Sequence, residues 1–304
     1  MSVASSTPAV PPAGLASAPG ERDPRTAGNA ADRAWPGGLV DDDFDTSRLG
    51  AARLLLRRLA TLSLVELQKL RHDRVELYTR AVQPALWLLV FGVTFNRVHA
   101  IPTGSVPYLD YLAPGILAQS ALFISIFYGI QIIWDRDAGV LAKLMVTPTP
   151  RTALVTGKAF AAGVRALIQV FVVVLLAAVL GVGLTANPLK LVGAAVAVVI
   201  GAAFFACLSI VIAGLVLSRD RLMGIGQAIM MPMFFASNAL YPVDIMPSWV
   251  RVVSYLNPLS YLVDALRGLL IGTHSHLPLD FVVLIGSAGV TILAASALLG
   301  RLAR

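Results

Sequence analysis

The sequence predicts an all-α membrane protein with six transmembrane helices, on three observations. Charged residues make up 13% of the 304 and hydrophobic ones 57%, with a mean hydropathy of +0.77. A soluble domain carries about 25% charged residues, so half that share points to a bilayer as the solvent. Six apolar stretches approach the ~20 residues a helix needs to cross the hydrocarbon; they fall near 81–98, 111–133, 155–183, 189–217, 222–241 and 281–300. Basic residues then sort to one side of those stretches.

Residues 1–45 hold Ala, Pro, Ser and Gly with scattered charge and end in DDDFD. They contain no apolar run of the secretory type and are expected to form a disordered tail. In 51–80, Leu62, Val65, Leu70 and Leu77 alternate with basic residues at roughly helical spacing, which predicts an amphipathic helix in the membrane interface. The membrane domain occupies 81–304. Pro84 and Pro114 are expected at the entries of the first two spans, where a missing N–H costs least. GVGLTANP (181–188) and SRDR (218–221) are tight turns. The single cysteine, Cys207, lies in an apolar run and can form no internal disulfide.

Orientation follows from charge. With the N-terminus inside, the inner flanks hold Arg53, Arg57, Arg58, Lys69, Arg71, Arg74 and Arg80, then Arg136, Lys143, Arg151 and Lys158, then Arg219, Arg221, Arg301 and Arg304. The outer flanks hold Arg97, Lys190, Arg251 and Arg267. This bias puts both termini in the cytoplasm of a multi-pass cell-membrane protein. It also accounts for 24 basic against 17 acidic residues without invoking nucleic acid.

Two segments break the alternation of span and turn. In WDRDAGVLAKLMVTPTPRTALVTGK (134–158), Val140, Leu141, Leu144 and Met145 share one helical face, and Gly139, Ala142 and Lys143 face away. Asp135 and Asp137 are expected at its N-terminal end, where the helix dipole favours acids. Pro148 and Pro150 stop it. On pattern alone, such a helix either floats in the interface or offers a docking face. The second segment, 241–280, is cut by Pro242, Pro247 and Pro258 into pieces too short to span yet apolar enough to dip into the outer leaflet. Trp249, Tyr255 and Tyr261 suit an interfacial depth.

DRDAGVLAKLMVTPTPRTALVTGK resembles the coupling-helix signature of type-2 ABC exporter permeases. YPVDIMPSWVRVVSYLNPLSYLVDALRG (241–268) is similar to the same family's signature before its last span. The two matches stand in order, roughly 100 residues apart, in a six-span frame. The resemblance covers about residues 60–300. It implies a short helix docked on a separate ATP-binding subunit that carries ATP and magnesium, with no cofactor on this chain. In that reading Val140, Leu141, Leu144 and Met145 supply the contact. Asp135, Arg136 and Asp137, with Gly139 after them, set its orientation by charge-assisted hydrogen bonds. Pro148 and Arg151 pass its motion to the third span. Pro242, Met246, Pro247, Trp249, Asn257, Pro258, Tyr261 and Arg267 belong to paired re-entrant helices that cap the exit. A second permease chain, identical or homologous, completes the pathway, and lipid surrounds it.

Residue inventory excludes several alternatives. A phosphate-cradling loop G-x-x-x-x-G-K-[ST] is absent; the nearest approach, Gly157-Lys158, has Thr152 and Ala159 at two required positions. Seven acids lie in the tail, three in 51–80 and seven after residue 80, none of them mid-span. That argues against a carboxylate-based secondary carrier. Neither H-E-x-x-H nor G-x-S-x-G occurs. His274 and His276 lack a third ligand. Arg165 is the one base well inside a span, either snorkelling, paired internally or in a pathway. The polar mid-span residues are Gln119, Ser120, Ser125, Gln169, Ser209, Gln227, Ser237 and Asn238. Such groups more often bond helix to helix; by polarity, Gln119, Gln227 and Asn238 are the pathway candidates. Scarce charge suggests an amphipathic or apolar substrate. The competing readings are a membrane scaffold that recruits a cytoplasmic partner, and a passive channel.

Overall fold

The computed structural model describes residues 82–98, 101–104, 106–146, 151–273 and 275–302, and the side chains of 144–146 are outside that description. The tail 1–45, the interfacial helix 51–80, Pro148, Pro150, His274 and the side chains of Leu144 and Met145 therefore lie outside the described residues. Among the described residues every regular element is helical.

The elements are α1 (Val82–Val98, with a widened π turn at Trp87–Gly92), α2 (Tyr108–Asp137), α3 (Val140–Val146), α4 (Arg151–Val179), α5 (Pro188–Val216), α6 (Arg219–Phe235), α7 (Ser248–Leu256), α8 (Pro258–Leu270) and α9 (Leu277–Leu302). Helices α2, α4, α5 and α9 are long and apolar enough to cross a membrane. At 1.5 Å per residue, the 17 residues of α6 reach about 26 Å, somewhat less than the ~30 Å hydrocarbon. Of the six expected spans, four are helices long and apolar enough to cross among the described residues, and the first and fifth stretches form the shorter helices α1 and α6.

Local chemistry sets most ends. Asn187 caps α5 by accepting from the Leu189 N–H at 3.0 Å, with Pro188 in the first position. Asn257 caps α8 in the same way through Leu259 N, ahead of Pro258. Pro114 differs from expectation: α2 begins at Tyr108, so this proline sits inside the helix rather than at its entry. The fifth stretch stops at Phe235, not 241, because the chain from Ala236 turns away with its carbonyls engaged elsewhere.

Helix α5 is central, packed on α2, α4, α8 and α9. Small residues allow the close approach that membrane helices use. A Cβ on Gly129 of α2 would overlap Ser209 of α5, whose hydroxyl donates to the Ile126 carbonyl at 2.5 Å. One apolar cluster includes Leu112, Leu117, Phe205, Phe234 and Leu266. A second, at the α3 end, includes Ile133, Leu141, Val155, Leu222 and Leu299. Helix α7 is different, with Trp249, Val252, Tyr255 and Leu256 all exposed.

Gly129→Val should force α2 and α5 apart and cost about 1–3 kcal/mol through overpacking. Gly289→Val, where a Cβ meets nothing within 4 Å, should leave stability unchanged. Thermal unfolding of both variants in detergent measures the difference, and equal melting temperatures would show that the α2–α5 contact is wrong.

Candidate functional site

Three constructions share the bundle: a charged network at the α3 end, a polar cavity in the middle, and a clamp at the α7–α8 end.

Asp135, Arg136 and Asp137 form the last turn of α2, not the first turn of α3. Acids are disfavoured by the dipole at a helix C-terminus, so partners from other helices must hold them. Asp135 accepts from Lys158 of α4 at 2.5 Å. Asp137 accepts from Arg136 at 2.9 Å and from Arg219 of α6 at 2.6 Å. Arg136 also donates to the Leu217 carbonyl just beyond α5, at 3.1 Å. Arg219 lies over the Trp134 ring, 5.6 Å from its centroid. The three charges therefore tie together the ends of α2, α4, α5 and α6. Gly139, at φ +70°, makes the turn into α3, a backbone state that glycine adopts without strain.

The placement of α3 corrects one sequence expectation. Leu141 is 1% exposed and packs in the cluster with Ile133, Val155 and Leu222. It anchors α3 to the bundle and is not available as a docking face. Among the described side chains of α3, Val140, Ala142 and Lys143 are exposed. Arg151 begins α4 with its guanidinium lying over Gly300 of α9. Residues 152–159, the nearest approach to a phosphate loop, are helical within α4, and Lys158 is engaged by Asp135. Nothing there could cradle a nucleotide.

Midway along the bundle, α1, α2, α4 and α6 line a half-open cavity of about 480 Å³, with Gln83, Phe127 and Gln227 on its exposed side. Its wall holds Gln83, Gln119, Ser120, Gln169 and Gln227 with Phe123, Phe127 and Met230. Two of the three pathway candidates, Gln119 and Gln227, meet here. Gln83 and Gln169 join them, and sequence reasoning did not single them out: Gln83 stands at the edge of its apolar run, and Gln169 was one polar residue among many. Trp87 closes α1 against α6 by an edge contact to Phe234, centroids 5.6 Å apart. Nearby Arg165 is half-buried, with Cζ 5.7 Å from the Tyr128 ring centroid.

Asn238 is not at this cavity. It is buried at the other end, donating to Asp264 at 2.6 Å. There Arg267, 5% exposed, donates to the carbonyls of Asn238 (2.7 Å), Ala239 (3.3 Å) and Tyr111 (3.3 Å) and stacks on the Tyr111 ring at 3.5 Å. The Tyr108 hydroxyl donates to the Leu240 carbonyl at 3.1 Å. Asp264 lies 3.8 Å from Arg267. Asn257 adds a 2.6 Å bond to the Met233 carbonyl, so α6, the 236–242 turn, α8 and α2 form one knot. Pro242 and Pro247 precede the 3-10 turn and α7. Met246 is buried, Trp249 is exposed, and the Tyr261 hydroxyl donates to the Tyr255 carbonyl at 2.8 Å. These residues lie around the α7–α8 end, where Arg267 works as an internal clamp.

Residues 57–271 match the family described as ABC-2 type transporter. The chain is 33% identical over 203 residues to a protein of Cyanophora paradoxa named as transport permease ycf38, covering 66% of this chain and 69% of that one. It is 25% identical over 228 residues to the daunorubicin resistance ABC transporter permease protein DrrB1 of Streptomyces coeruleorubidus, covering 74% and 78%. It is 28% identical over 183 residues to nodulation protein J of Rhizobium leguminosarum bv. viciae, covering 60% and 68%.

Arg267→Met should orphan buried carbonyls and destabilise the chain by on the order of 3 kcal/mol. Asp264→Asn keeps an acceptor for Asn238 and should cost less than about 1 kcal/mol. If thermal unfolding shows the two variants equally destabilised, the ion pair rather than the carbonyl clamp holds this end together.

Proposed function

Because the chain belongs to the ABC-2 type transporter family, we propose that it is the permease of an ATP-driven exporter, taking its force from a separate ATP-binding subunit. The observation that supports this reading best is the setting of α3. This short helix exposes Val140, Ala142 and Lys143 while its Leu141 is rooted in the bundle. It follows directly on a charge network that joins four helix ends. A push on the exposed side of α3 would be delivered to α2, α4, α5 and α6 together.

In this reading the α3 end is cytoplasmic, in keeping with Arg136, Lys143, Arg151, Lys158, Arg219 and Arg301 gathered there. Both termini are then inside. Helices α1 and α6 cross the membrane along with the four long ones. Helices α7 and α8 form a re-entrant pair at the outer end, with the exposed aromatic side chains of α7 at the interface. The clamp on the 236–242 turn would hold the exit closed until α6 moves. A second permease chain faces this one, and ATP with magnesium is bound by the partner ATPase. The relatives named for daunorubicin resistance and nodulation suit export of an amphipathic molecule.

Val140→Asp with Lys143→Glu should reduce the ATP hydrolysis that co-purifies with the tagged chain from its own membranes by more than about tenfold, with insertion unchanged. Leu141→Asp should instead lower the thermal stability of the permease itself. Unchanged recovery of ATPase activity with the first pair would remove α3 as the docking element.

A further inference from the structure

The middle cavity carries an observation that the coupling scheme does not use. Gln169 is 2% exposed, and both its amide nitrogen and its amide oxygen are buried with no hydrogen-bond partner. A buried amide without partners is costly, so such groups in folded proteins are met by a neighbour, a water or a ligand. Gln169 borders a space of about 480 Å³, within the ~300–1,000 Å³ range of small-molecule sites. Gln83, Gln119 and Gln227 border the same space from three other helices. Each amide offers two donors and an acceptor. Among the described residues that line the cavity, none carries a charge.

A second cavity of about 230 Å³ shares Phe127, Gln227 and Met230 with the first. Its other walls are apolar, from Ile126, Ile130, Leu222 and Met223. The two cavities are adjacent, the first rich in amides and the second apolar and nearer α3.

We propose that this paired cavity binds an uncharged amphiphile. Its hydroxyl-bearing or amide-bearing head pairs with Gln169 and the other glutamines, and its hydrocarbon part runs between α2 and α6 toward α3. A charged head would lose its hydration here with no charged side chain among the described lining residues to meet it, a penalty that selects against it. The site would be the loading position for the exported molecule, and in that respect it rests on the permease reading above.

The full chain in lipid nanodiscs, without ATPase or nucleotide, tests the site separately from that reading. The probe is dodecyl β-D-glucoside with a diazirine in its alkyl chain, compared with sulfate-headed and trimethylammonium-headed probes of the same chain. Photolabelled residues are located by mass spectrometry. The glucoside should label Ile130, Leu222 or Met230 about tenfold more than either charged probe. Gln169→Leu should lower that labelling about tenfold, and Gln131→Leu, outside the cavity, should not. If Gln169→Leu fails to insert, Gln227→Leu on α6 is read in the same way. Labelling confined to exposed α9 residues such as Val290 and Leu293 would overturn the proposal, as a space filled only by water. So would a charged probe that labels the cavity as strongly, or insensitivity to both substitutions. Any of these results would leave the ATPase partnership standing, since recovery of ATPase activity is measured without any ligand.

Discussion

Three consecutive charges at the end of a membrane helix constrain everything near them. Asp135, Arg136 and Asp137 close α2, where the helix dipole works against both acids. Lys158 and Arg219 compensate, and they do so from α4 and α6. Arg136 reaches the Leu217 carbonyl, where the backbone turns at φ 56°. Individually such partly exposed pairs contribute little, up to about 1 kcal/mol each. Their value lies in geometry: four helix ends share one network, so they are registered to one another at the point where α3 departs.

The opposite end is held by a different principle. Arg267 satisfies carbonyls of a buried, non-helical turn at Asn238 and Ala239 that lacks the bonding partners a helix would supply. Between the two knots lies the cavity, where Gln169 has no partner at either amide atom.

Much of this was legible in the sequence, and the exceptions share a cause. The third, fourth and sixth apolar runs mark α4, α5 and α9 to within a few residues, because hydropathy and length suffice for a helix with lipid on one side and small residues on the other. Hydropathy overran the helix end at Phe235: residues 236–241 include the polar Ser237 and Asn238, and the turn they make is held by Arg267, Tyr108 and Asp264 from other parts of the chain. The local dipole rule sent Asp135 and Asp137 to α3, because it cannot weigh Lys158 and Arg219. Periodicity grouped Leu141 with Val140, but the turn at Gly139 aims Leu141 inward. Polarity alone ranked Asn238 beside Gln119 and Gln227, whereas tertiary structure put it in the clamp and brought Gln83 and Gln169 to the cavity.

The account depends on which side of the membrane α3 occupies. In a Cys207→Ala chain, a single cysteine is introduced at an exposed position of either α3 or α7, as Lys143→Cys or Leu256→Cys. A membrane-impermeant maleimide is then added to intact cells. The account predicts labelling at position 256 in intact cells, and at position 143 only after the membrane is opened. Labelling at 143 from outside would put the network and α3 out of reach of any cytoplasmic ATPase and contradict the account directly.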